Sequence, residues 1–385
     1  MLGQKLKAAL KEAGYSQTRT ALATGVSEAT ISQLLCHGIW PRRTPGELRD
    51  KLRQLLLQHI SEPEILEAFK EIDSGPIREQ EEEKEEFFMI RKQALSPEAR
   101  KQFRIFRDIF SDFLNDPDDI FFSPYLKYLD EVLYQTARGG GLLALVGESG
   151  SGKSTLRKHL LHRLETSDSN VMVIEPYVIS MDDDSKAKST LRPNHICEAV
   201  IAVVDPGAKK GGSPEARFKL MHDALAASHK INNRHCLIIE EAHSMPIPTI
   251  RALKRFYELE SGMSRLLSII LIGQRELKNK LSEKNASVRE VVQRTELLEI
   301  PPLEDVEGYV RHRCKRSEAD FERIFAKDAM AELRMKLTGP SSKQGKPGSS
   351  LLYPLLVGNV LAKAVNLAAE MGLQQVNADV IRAVK

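Results

Sequence analysis

The segment GLLALVGESGSGKSTLRKHLL (residues 141–161) joins a short apolar run, a glycine-rich turn and a helical pattern. The turn matches G-x-x-x-x-G-K-[ST], in which glycines let backbone N–H groups curl around an anion at the positive end of the following helix. A strand before the turn and a helix after it are the context that this pattern requires. The sequence therefore predicts a phosphate-binding loop, and the alternative is a strand-to-helix turn that matches by chance.

The residues of such a loop have distinct roles. Lys153 is expected to reach the β- and γ-phosphate oxygens as a point charge, and the Ser154 hydroxyl is expected to ligate Mg²⁺. ATP and Mg²⁺ are therefore the expected ligand and cofactor. The residues predicted to bind the nucleotide are Gly147, Glu148, Ser149, Gly150, Ser151, Gly152, Lys153, Ser154 and Thr155.

Two adjacent carboxylates end the apolar run in CLIIEEAHS (residues 236–244). Glu240 stands where an aspartate ordinarily organises the Mg²⁺ shell, and Glu241 stands where ATPases place the carboxylate that polarises the attacking water. Adjacent acids would be costly to leave unpaired in a core, which favours a site beside a cation over a solvated strand terminus. Because the extra methylene of Glu240 displaces its carboxylate, we expect slow hydrolysis, with nucleotide binding less affected.

Polar residues near two further strands complete the predicted site. Gln274 follows the run LSIILIG and is expected to hold the attacking water or to sense the γ-phosphate. Arg294 is predicted to point out of its own subunit and to supply positive charge to a neighbour's transition state. Arg289 is the second candidate for this role, and an ordinary surface arginine is the alternative. The predicted catalytic residues are Lys153, Glu241, Gln274 and Arg294.

Short apolar runs alternate with helical patterns between residues 141 and 300, and only helical patterns follow. The length and β-branched content of the runs are typical of buried parallel strands joined by crossover helices. The predicted fold class is α/β: a P-loop NTPase core of a parallel sheet with flanking helices, a C-terminal helical lid and an all-α N-terminal domain. The five predicted strands are LLALV (142–146), VMVIE (171–175), CLIIE (236–240), LSIILIG (267–273) and LLEI (297–300).

Charge is unevenly distributed along the chain. Residues 1–60 carry nine Lys and Arg against four Asp and Glu, a net charge of +5, whereas residues 61–95 carry five against eleven, a net charge of −6. A basic head followed by an acidic connector indicates separate domains. The predicted domains are a helix-turn-helix DNA-binding domain (1–60), an acidic linker (61–95), the ATPase core with a helical lead-in (96–300) and the helical lid (301–385).

The lead-in to the core, SPEARKQFRIFRDIFSDFL (residues 96–114), follows a Ser-Pro start. Its apolar residues recur at helical spacing, which predicts an N-capped amphipathic helix with its phenylalanines packed in a core. These residues are Phe103, Phe106, Ile109, Phe110 and Phe113.

The N-terminal segment QTRTALATGVSEATISQLLC (residues 17–36) has helix-turn-helix spacing. Gly25 falls at the turn, Ala21 permits close helix approach, and Val26 and Ile31 are apolar where two crossed helices meet. A purely structural three-helix unit is the alternative, and the short, weakly basic reading face leaves sequence specificity open. The side chains predicted to contact DNA are Arg19, Thr30, Ser32, Gln33, Arg42 and Arg43.

Two basic loops of the core, DSKAKSTLR (184–192) and GAKKGG (207–212), are further candidates for DNA contact. Repeated along an oligomer, their charges would bind the phosphate backbone without sequence preference. Solvated surface loops are an equally open interpretation. The residues concerned are Lys186, Lys188, Arg192, Lys209 and Lys210.

Hydropathy predicts no membrane partner. No apolar run approaches the ~20 residues that a bilayer-spanning helix needs. The N-terminal pattern MLGQKLKAALKEAG predicts a polar helix rather than a signal peptide. The four cysteines are far apart and form no CxxC pair, which predicts free thiols. A cytoplasmic protein is expected.

Four segments in this order, LVGESGSGKST, LIIEEAH, IILIGQREL and VVQRTELLEIPPLEDVEGYV, resemble the AAA+ ATPases of the ExeA, TnsC and MuB group over roughly residues 120–315. With the helix-turn-helix and the C-terminal stretch YPLLVGNVLAKAVNLAAEMGLQQVNADVI, the chain is most similar to the MuB target-selection ATPases of Mu-like transposing phages. The resemblance implies a homo-oligomeric ring or filament that assembles on duplex DNA with ATP and presents that DNA to a DDE transposase. Stimulated hydrolysis then disassembles it. The chain departs from the pattern at Glu240, and its lid has no evident sensor arginine, Lys363 being the nearest basic residue.

Three functions are consistent with these features. The preferred one is a DNA-binding transposition ATPase, which predicts nucleotide-dependent, salt-sensitive assembly on DNA. The second is an ExeA-like secretion or assembly ATPase, against which the helix-turn-helix argues. The third is a nucleotide-gated transcriptional regulator, which predicts one discrete footprint without spreading.

Overall fold

The computed structural model describes residues 4–37, 45–57, 59–60, 64–65, 69, 91–111, 116–167, 169–176, 191–208, 212–282, 286–338 and 350–384. The chain divides into two compact units, Met1–Met89 and Ile90–Lys385. No helix in the described ranges has the length and apolar character needed to cross a membrane.

The N-terminal unit is helical. Ser16 caps α2 by accepting a hydrogen bond from the Arg19 N–H, and Gly25 ends α2 in a left-handed conformation at φ 74°. Glycine is suited to this turn because it has no Cβ to penalise a positive φ. The helices are α1 (Gln4–Glu12), α2 (Gln17–Thr24), α3 (Glu28–His37) and α4 (Pro45–Leu57).

One apolar cluster holds these helices together. Leu6, Ile31 and Leu52 are fully buried in it, as expected for residues on the inner faces of amphipathic helices. Ile65 and Phe69 are buried in the same cluster, although the sequence placed them in the acidic linker. The packing of this unit therefore extends beyond the predicted boundary at residue 60.

The second unit is built on a five-stranded sheet of order β2-β3-β6-β1-β7, in which every pair is parallel. All five strands predicted from the apolar runs are confirmed. Because β1 lies between β6 and β7, the carboxyl ends of three strands meet around the loop that follows β1. The strands are β1 (Leu142–Val146), β2 (Val171–Ile174), β3 (Arg234–Ile239), β6 (Ser268–Gly273) and β7 (Glu296–Glu299).

Helices cover both faces of the sheet, so β1 and β6 are buried along their whole length. Apolar clusters on the two faces account for this burial. A short hairpin, β4 (Glu260–Ser261) with β5 (Ser264–Arg265), precedes β6 and was not predicted. The helices are α6 (Pro124–Gly139), α7 (Lys153–Thr166), α8 (Pro193–Val204), α9 (Pro214–Lys230), α10 (Ile247–Tyr257), α11 (Arg275–Lys280) and α12 (Arg289–Val292).

The lead-in forms a shorter helix than predicted. Ser96 caps α5 (Pro97–Phe103), and Arg104 ends it in a left-handed conformation at φ 54°. The redirected chain buries Ile109 but leaves Phe106 82% exposed. The predicted core role of Phe106 is therefore wrong, because the helical spacing stops at Phe103. Phe113 lies outside the described residues.

The lead-in packs in the same apolar cluster as the C-terminal helices rather than on the sheet. The chain enters this helical region beside β7, where the Leu303 N–H donates to the Leu352 carbonyl at 2.7 Å. The C-terminal region is helical, as predicted: α13 (Val306–Arg316), α15 (Ala329–Leu337) and α16 (Pro354–Glu370) lie at helical patterns of the sequence. Two short helices that were not predicted, α14 (Phe321–Ile324) and α17 (Ala378–Ala383), are also among the described residues.

Three cysteines with described side chains, Cys197, Cys236 and Cys314, are buried free thiols, as predicted. Burial raises the pKa of Cys197 to about 11 and that of Cys236 to about 12. Such thiols stay protonated at neutral pH and have a packing role.

Candidate nucleotide site

The loop between β1 and α7 has the backbone that a phosphate cradle requires. Gly150 and Gly152 adopt left-handed conformations at φ 73° and 102°. A Cβ at Gly147 would lie 2.5 Å from the Ser151 Oγ and 3.3 Å from the Ile300 Cβ, so a side chain there would displace its neighbours. The loop is anchored to the sheet because the Gly147 N–H donates to the Gly273 carbonyl at 3.2 Å. The glycines of the motif are thus required by backbone conformation and by close packing.

Lys153 is the first residue of α7, directly after the loop, and its side chain is buried. Its ammonium donates to the carbonyls of Gly147 and Glu148, at 2.9 and 2.7 Å. Burial lowers the pKa of Lys153, and the nearby carboxylates of Glu241, Glu148 and Glu276 oppose that shift. A buried cation that donates to two neutral carbonyls is well placed to exchange them for phosphate oxygens.

A cavity of about 370 Å³ opens from the phosphate loop. Residues 149–155 form one end, with Glu241 and Gln274 beside them, whereas Ile120, Phe121 and Tyr309 contribute to the apolar remainder. The Ser151 Oγ is buried and has no hydrogen-bond partner among the described residues. A polar end with an unsatisfied hydroxyl and a cation, joined to an apolar pocket, fits a ligand that carries both phosphates and an aromatic base.

Glu241 and Gln274 are connected through His243, which was not assigned to the site from the sequence. The Gln274 N–H donates to His243 Nδ1 at 3.4 Å, and His243 Nε2 lies 3.5 Å from Glu241 Oε2. Acceptance at Nδ1 places the imidazole proton on Nε2, directed at the carboxylate. Glu241 itself has a left-handed backbone at φ 50°, an uncommon conformation that is concentrated at functional sites.

Glu240, the predicted metal ligand, lies outside the wall of this cavity as far as the described residues define it. Its carboxylate is 3.0 Å from Arg157 Nε, and Arg157 Nη1 is 2.6 Å from Glu175. Arg157 follows Ser154 by one turn of α7 and is 17% exposed. The glutamate side chain is long enough to reach this arginine, which neutralises it beside the loop.

Within the described residues, no group of three or more His, Cys, Asp or Glu side chains could hold a metal ion. Mg²⁺ at a nucleotide site needs few protein ligands, because phosphate oxygens and water supply the rest. Ser154 is exposed at the start of α7 and borders the cavity. The donor set therefore fits a Mg²⁺ ion that arrives with a nucleotide.

Arg294 is remote from the loop of its own chain. It precedes β7, donates to the Glu290 carbonyl at 2.9 Å and forms an ion pair with Glu258 at 3.1 Å. Its side chain is 36% exposed. Arg289 is exposed on α12. The structure brings Lys153, Glu241 and Gln274 together and leaves both arginines outside that group.

The residues predicted to contact DNA are only partly described. Arg19 is exposed on α2, Thr30 and Ser32 are partly exposed on α3, and Arg192 is exposed at the start of α8. Thr30 Oγ1 is 2.8 Å from Ser27 Oγ. Gln33 belongs to α3, but its side chain lies outside the description. The remaining predicted contacts, Arg42, Arg43, Lys186, Lys188, Lys209 and Lys210, also lie outside it.

Three site residues were missed, although the sequence carries a signal for each. His243 directly follows the acid pair in EEAH, Arg157 lies one helical turn after Ser154, and Arg275 directly follows Gln274. Their neighbours in the sequence are the predicted site residues. The sequence does not indicate which side chains form ion pairs in the fold: His243 pairs with Glu241, Arg157 with Glu240 and Arg275 with Glu148.

Comparisons with known proteins agree with this geometry. Residues 136–281 match the AAA domain family AAA_22. General secretion pathway protein A of Aeromonas hydrophila is 29% identical over 185 residues, which cover 47% of this chain and 31% of that protein. The chain thus spans about a third of the relative's length.

Two solved structures are similar at low sequence identity. The ORC2 protein of Aeropyrum pernix, with ADPNP and ADP, is 13% identical over 72% of this chain and 70% of its own, with a TM-score of 0.46. CDC6P of Pyrobaculum aerophilum is 14% identical over 70% and 67%, with a TM-score of 0.48. The family match, the strand order and the phosphate loop identify residues 136–281 as an AAA domain with a nucleotide-binding loop.

Proposed function

We propose that this AAA+ ATPase assembles on duplex DNA with ATP, presents that DNA to a DDE transposase and uses hydrolysis to disassemble. The observation that carries the proposal is the presence, in one chain, of the phosphate loop and a basic helical unit containing the α2–α3 turn. Nucleotide binding and DNA binding are then two functions of one molecule, and the nucleotide controls its affinity for DNA. We propose that the protein acts as a homo-oligomer, and we expect it in the cytoplasm.

The phosphate loop gives the nucleotide chemistry. Backbone N–H groups of the loop and the start of α7 receive the phosphates, and the Lys153 ammonium leaves the Gly147 and Glu148 carbonyls to pair with them. Ser154 holds Mg²⁺, which when bound neutralises charge on the phosphates. Aromatic and aliphatic side chains at Ile120, Phe121 and Tyr309 exclude water around the base.

Glu241 is the proposed general base, and Gln274 positions the attacking water. Both border the cavity on the side of the phosphate loop. The His243 imidazole orients Glu241 through its Nε2 proton, and its Nδ1 accepts a hydrogen bond from the Gln274 backbone N–H. Glu240 is a poorly placed metal ligand, because Arg157 already engages and neutralises its carboxylate. Slow hydrolysis is the expected result.

The position of Arg294 supports action on a neighbouring subunit. Leu143 of β1 pairs with Glu296 of β7, so Glu296, two residues after Arg294, lies four strand positions before the level of Gly147. At about 3.3 Å per residue, that is about 13 Å along the strands, farther than an arginine side chain reaches. A role for Arg294 in hydrolysis therefore requires a second copy of the chain, which favours an oligomer.

The N-terminal unit supplies the proposed DNA contact. Its segment of residues 1–60 has a net charge of +5. Arg19 lies on α2, and Thr30, Ser32 and Gln33 lie on α3. We assign residues 1–60 to DNA binding, 96–300 to the core and 301–385 to the lid. The acidic segment 61–95 connects them, with Ile65 and Phe69 packed in the N-terminal unit. The basic loops with Lys186, Lys188, Arg192, Lys209 and Lys210, and the arginines Arg42 and Arg43, add phosphate contacts without sequence preference.

Nucleotide-dependent DNA binding tests the proposal. Fluorescence anisotropy of a labelled random duplex is measured with a slowly hydrolysed ATP analogue, with ADP and without nucleotide, across a salt series. The proposal expects the tightest binding with the ATP analogue, and log K falling linearly with log salt concentration. Equal affinity in all three nucleotide conditions would contradict it.

A secretion or assembly ATPase is the second candidate, favoured by the similarity to General secretion pathway protein A. It expects nucleotide binding and oligomerisation to be indifferent to DNA. ATP turnover measured with and without duplex DNA separates the two functions. Stimulation by DNA supports the first, and an unchanged rate together with no DNA binding supports the second.

A further inference from the structure

The phosphate loop contains a carboxylate of its own. Glu148 accepts a hydrogen bond from the Lys153 ammonium at its backbone carbonyl, and its side chain is 27% exposed beside the loop. A carboxylate in this position opposes the binding of a polyphosphate, because like charges at short range repel. Glu241 and Glu276 also act electrostatically on Lys153. The loop therefore needs cations other than Lys153 to attract an anionic ligand.

Arg275 supplies one such cation. It is the first residue of α11, directly after Gln274, and its Nε lies 2.5 Å from Glu148 Oε1. Burial lowers the pKa of Arg275, but Glu148, Tyr353 and Glu299 together raise it, and the net shift of the pKa is upward. The pair joins the end of β6 to the second residue of the phosphate loop.

The same guanidinium also reaches the C-terminal helical region. Arg275 Nη2 donates to the hydroxyl of Tyr353 at 3.5 Å. Tyr353 is buried and is the residue before α16. Two residues later, the Leu355 N–H donates to the Gly150 carbonyl at 3.3 Å. Arg275 thus contacts the start of α16 and the phosphate loop where these two segments already touch.

We infer that Arg275 is a positioning residue for the nucleotide: it neutralises the Glu148 carboxylate and ties the start of α16 to the phosphate loop. The inference rests on the proposed nucleotide binding. Without Arg275, the phosphates meet an uncompensated carboxylate and the start of α16 loses one of its two links to the loop. If the ion pair had a structural role only, its removal would change neither the affinity for nucleotide nor the response of α16 to nucleotide.

Lys278 provides a matched control. It lies one helical turn after Arg275 on α11, forms a 2.5 Å ion pair with Glu299 and is 49% exposed, against 51% for Arg275. Its partner belongs to β7 and not to the phosphate loop. Lys278→Met therefore removes an ion pair of the same length and exposure without unmasking a charge in the loop.

The test is the affinity for N-methylanthraniloyl-ATP with Mg²⁺, measured by fluorescence on the full chain. Arg275→Met is expected to weaken binding by about tenfold, whereas Lys278→Met stays within twofold of the wild type. Glu148→Gln in the Arg275→Met background is expected to restore affinity, because it removes the unmasked charge. Equal affinities for Arg275→Met and Lys278→Met, or a double variant no better than Arg275→Met, would overturn the neutralising role.

Hydrogen exchange measures the second part of the inference. Nucleotide is expected to protect the first turn of α16 in the wild type, less in Tyr353→Phe and least in Arg275→Met. Protection that is identical in all three overturns the link to α16. If the wild type itself binds no nucleotide, the proposed function fails; if it binds and the variants match it, only this inference fails.

Discussion

Gly25 and Gly150 adopt nearly the same backbone conformation in two regions of the molecule, at φ 74° and 73°. Around Gly25, in the α2–α3 turn, an added Cβ would meet only the Lys51 Nζ at 3.9 Å. At Gly150, in the phosphate loop, it would lie 2.3 Å from the Cβ of Leu355. The first glycine serves the turn alone, whereas the second also permits another segment of the chain to approach the loop.

The same contrast applies to the side chains of the two regions. Lys153 is buried and fixed by two carbonyls, so its role follows from its position. Arg19 on α2 faces solvent, where many side chains would serve equally well. Local geometry therefore specifies function in the phosphate loop, but only fold in the N-terminal unit.

Lys153→Ala has the largest expected effect. Loss of the buried cation is expected to lower affinity for ATP at least about 100-fold, because charge-assisted bonds to phosphate are lost at a desolvated position. Calorimetry measures it, with Lys158→Ala, an exposed lysine on the same helix, as control. DNA binding without nucleotide is expected to persist. Its loss would mean that the two regions do not act separately.

Glu241→Gln is next, and its effect is expected on turnover alone. Removing the general base is expected to lower kcat by about 10²-fold or more while ATP still binds. Phosphate release under saturating ATP, paired with a binding titration, provides the measurement. Turnover at the wild-type rate would show that Glu241 is not the base.

Paired glycine substitutions test the comparison itself. Gly25→Ala is expected to destabilise the N-terminal unit by about 1–2 kcal/mol, the usual cost of a Cβ in the left-handed region. Gly150→Ala adds a steric conflict with Leu355 of about 1–3 kcal/mol and is expected to weaken nucleotide binding as well. Denaturant unfolding and ATP titration separate these outcomes. Equal effects on nucleotide affinity would refute the distinction.

His243→Ala is expected to have a smaller effect than Glu241→Gln. Glu241 remains but loses the imidazole that orients it, so we expect kcat to fall by roughly tenfold with little change in KM. His222→Ala, which removes only a bond to the Glu260 carbonyl, is the control. A change in KM without a change in kcat would assign His243 to binding instead.

Arg19→Ala has the smallest expected effect. One lost phosphate contact is expected to weaken DNA binding a few-fold for every DNA sequence. It is also expected to reduce the slope of log K against log salt concentration by about 1. Anisotropy across a salt series measures both quantities. A loss confined to one DNA sequence would indicate base recognition by this residue.

The sequence was most informative where a residue's chemistry depends on its immediate neighbours. The five strands and the phosphate loop are local patterns, and the structure has them. The prediction of a helix through Phe106 was wrong, because Arg104 ends α5 in a left-handed conformation. The spacing of apolar residues does not indicate such an end. The pairs of Arg157 with Glu240 and of Arg275 with Glu148 arise from strand order and loop conformation, which bring together residues far apart in sequence.

Electron microscopy of the protein with duplex DNA tests the central claim, that nucleotide in the phosphate loop controls assembly on DNA. The account predicts extended or ring-like assemblies on DNA with a slowly hydrolysed ATP analogue, and none with ADP or with Lys153→Ala. Assemblies of the same kind and number without nucleotide, or formed by Lys153→Ala, would contradict it.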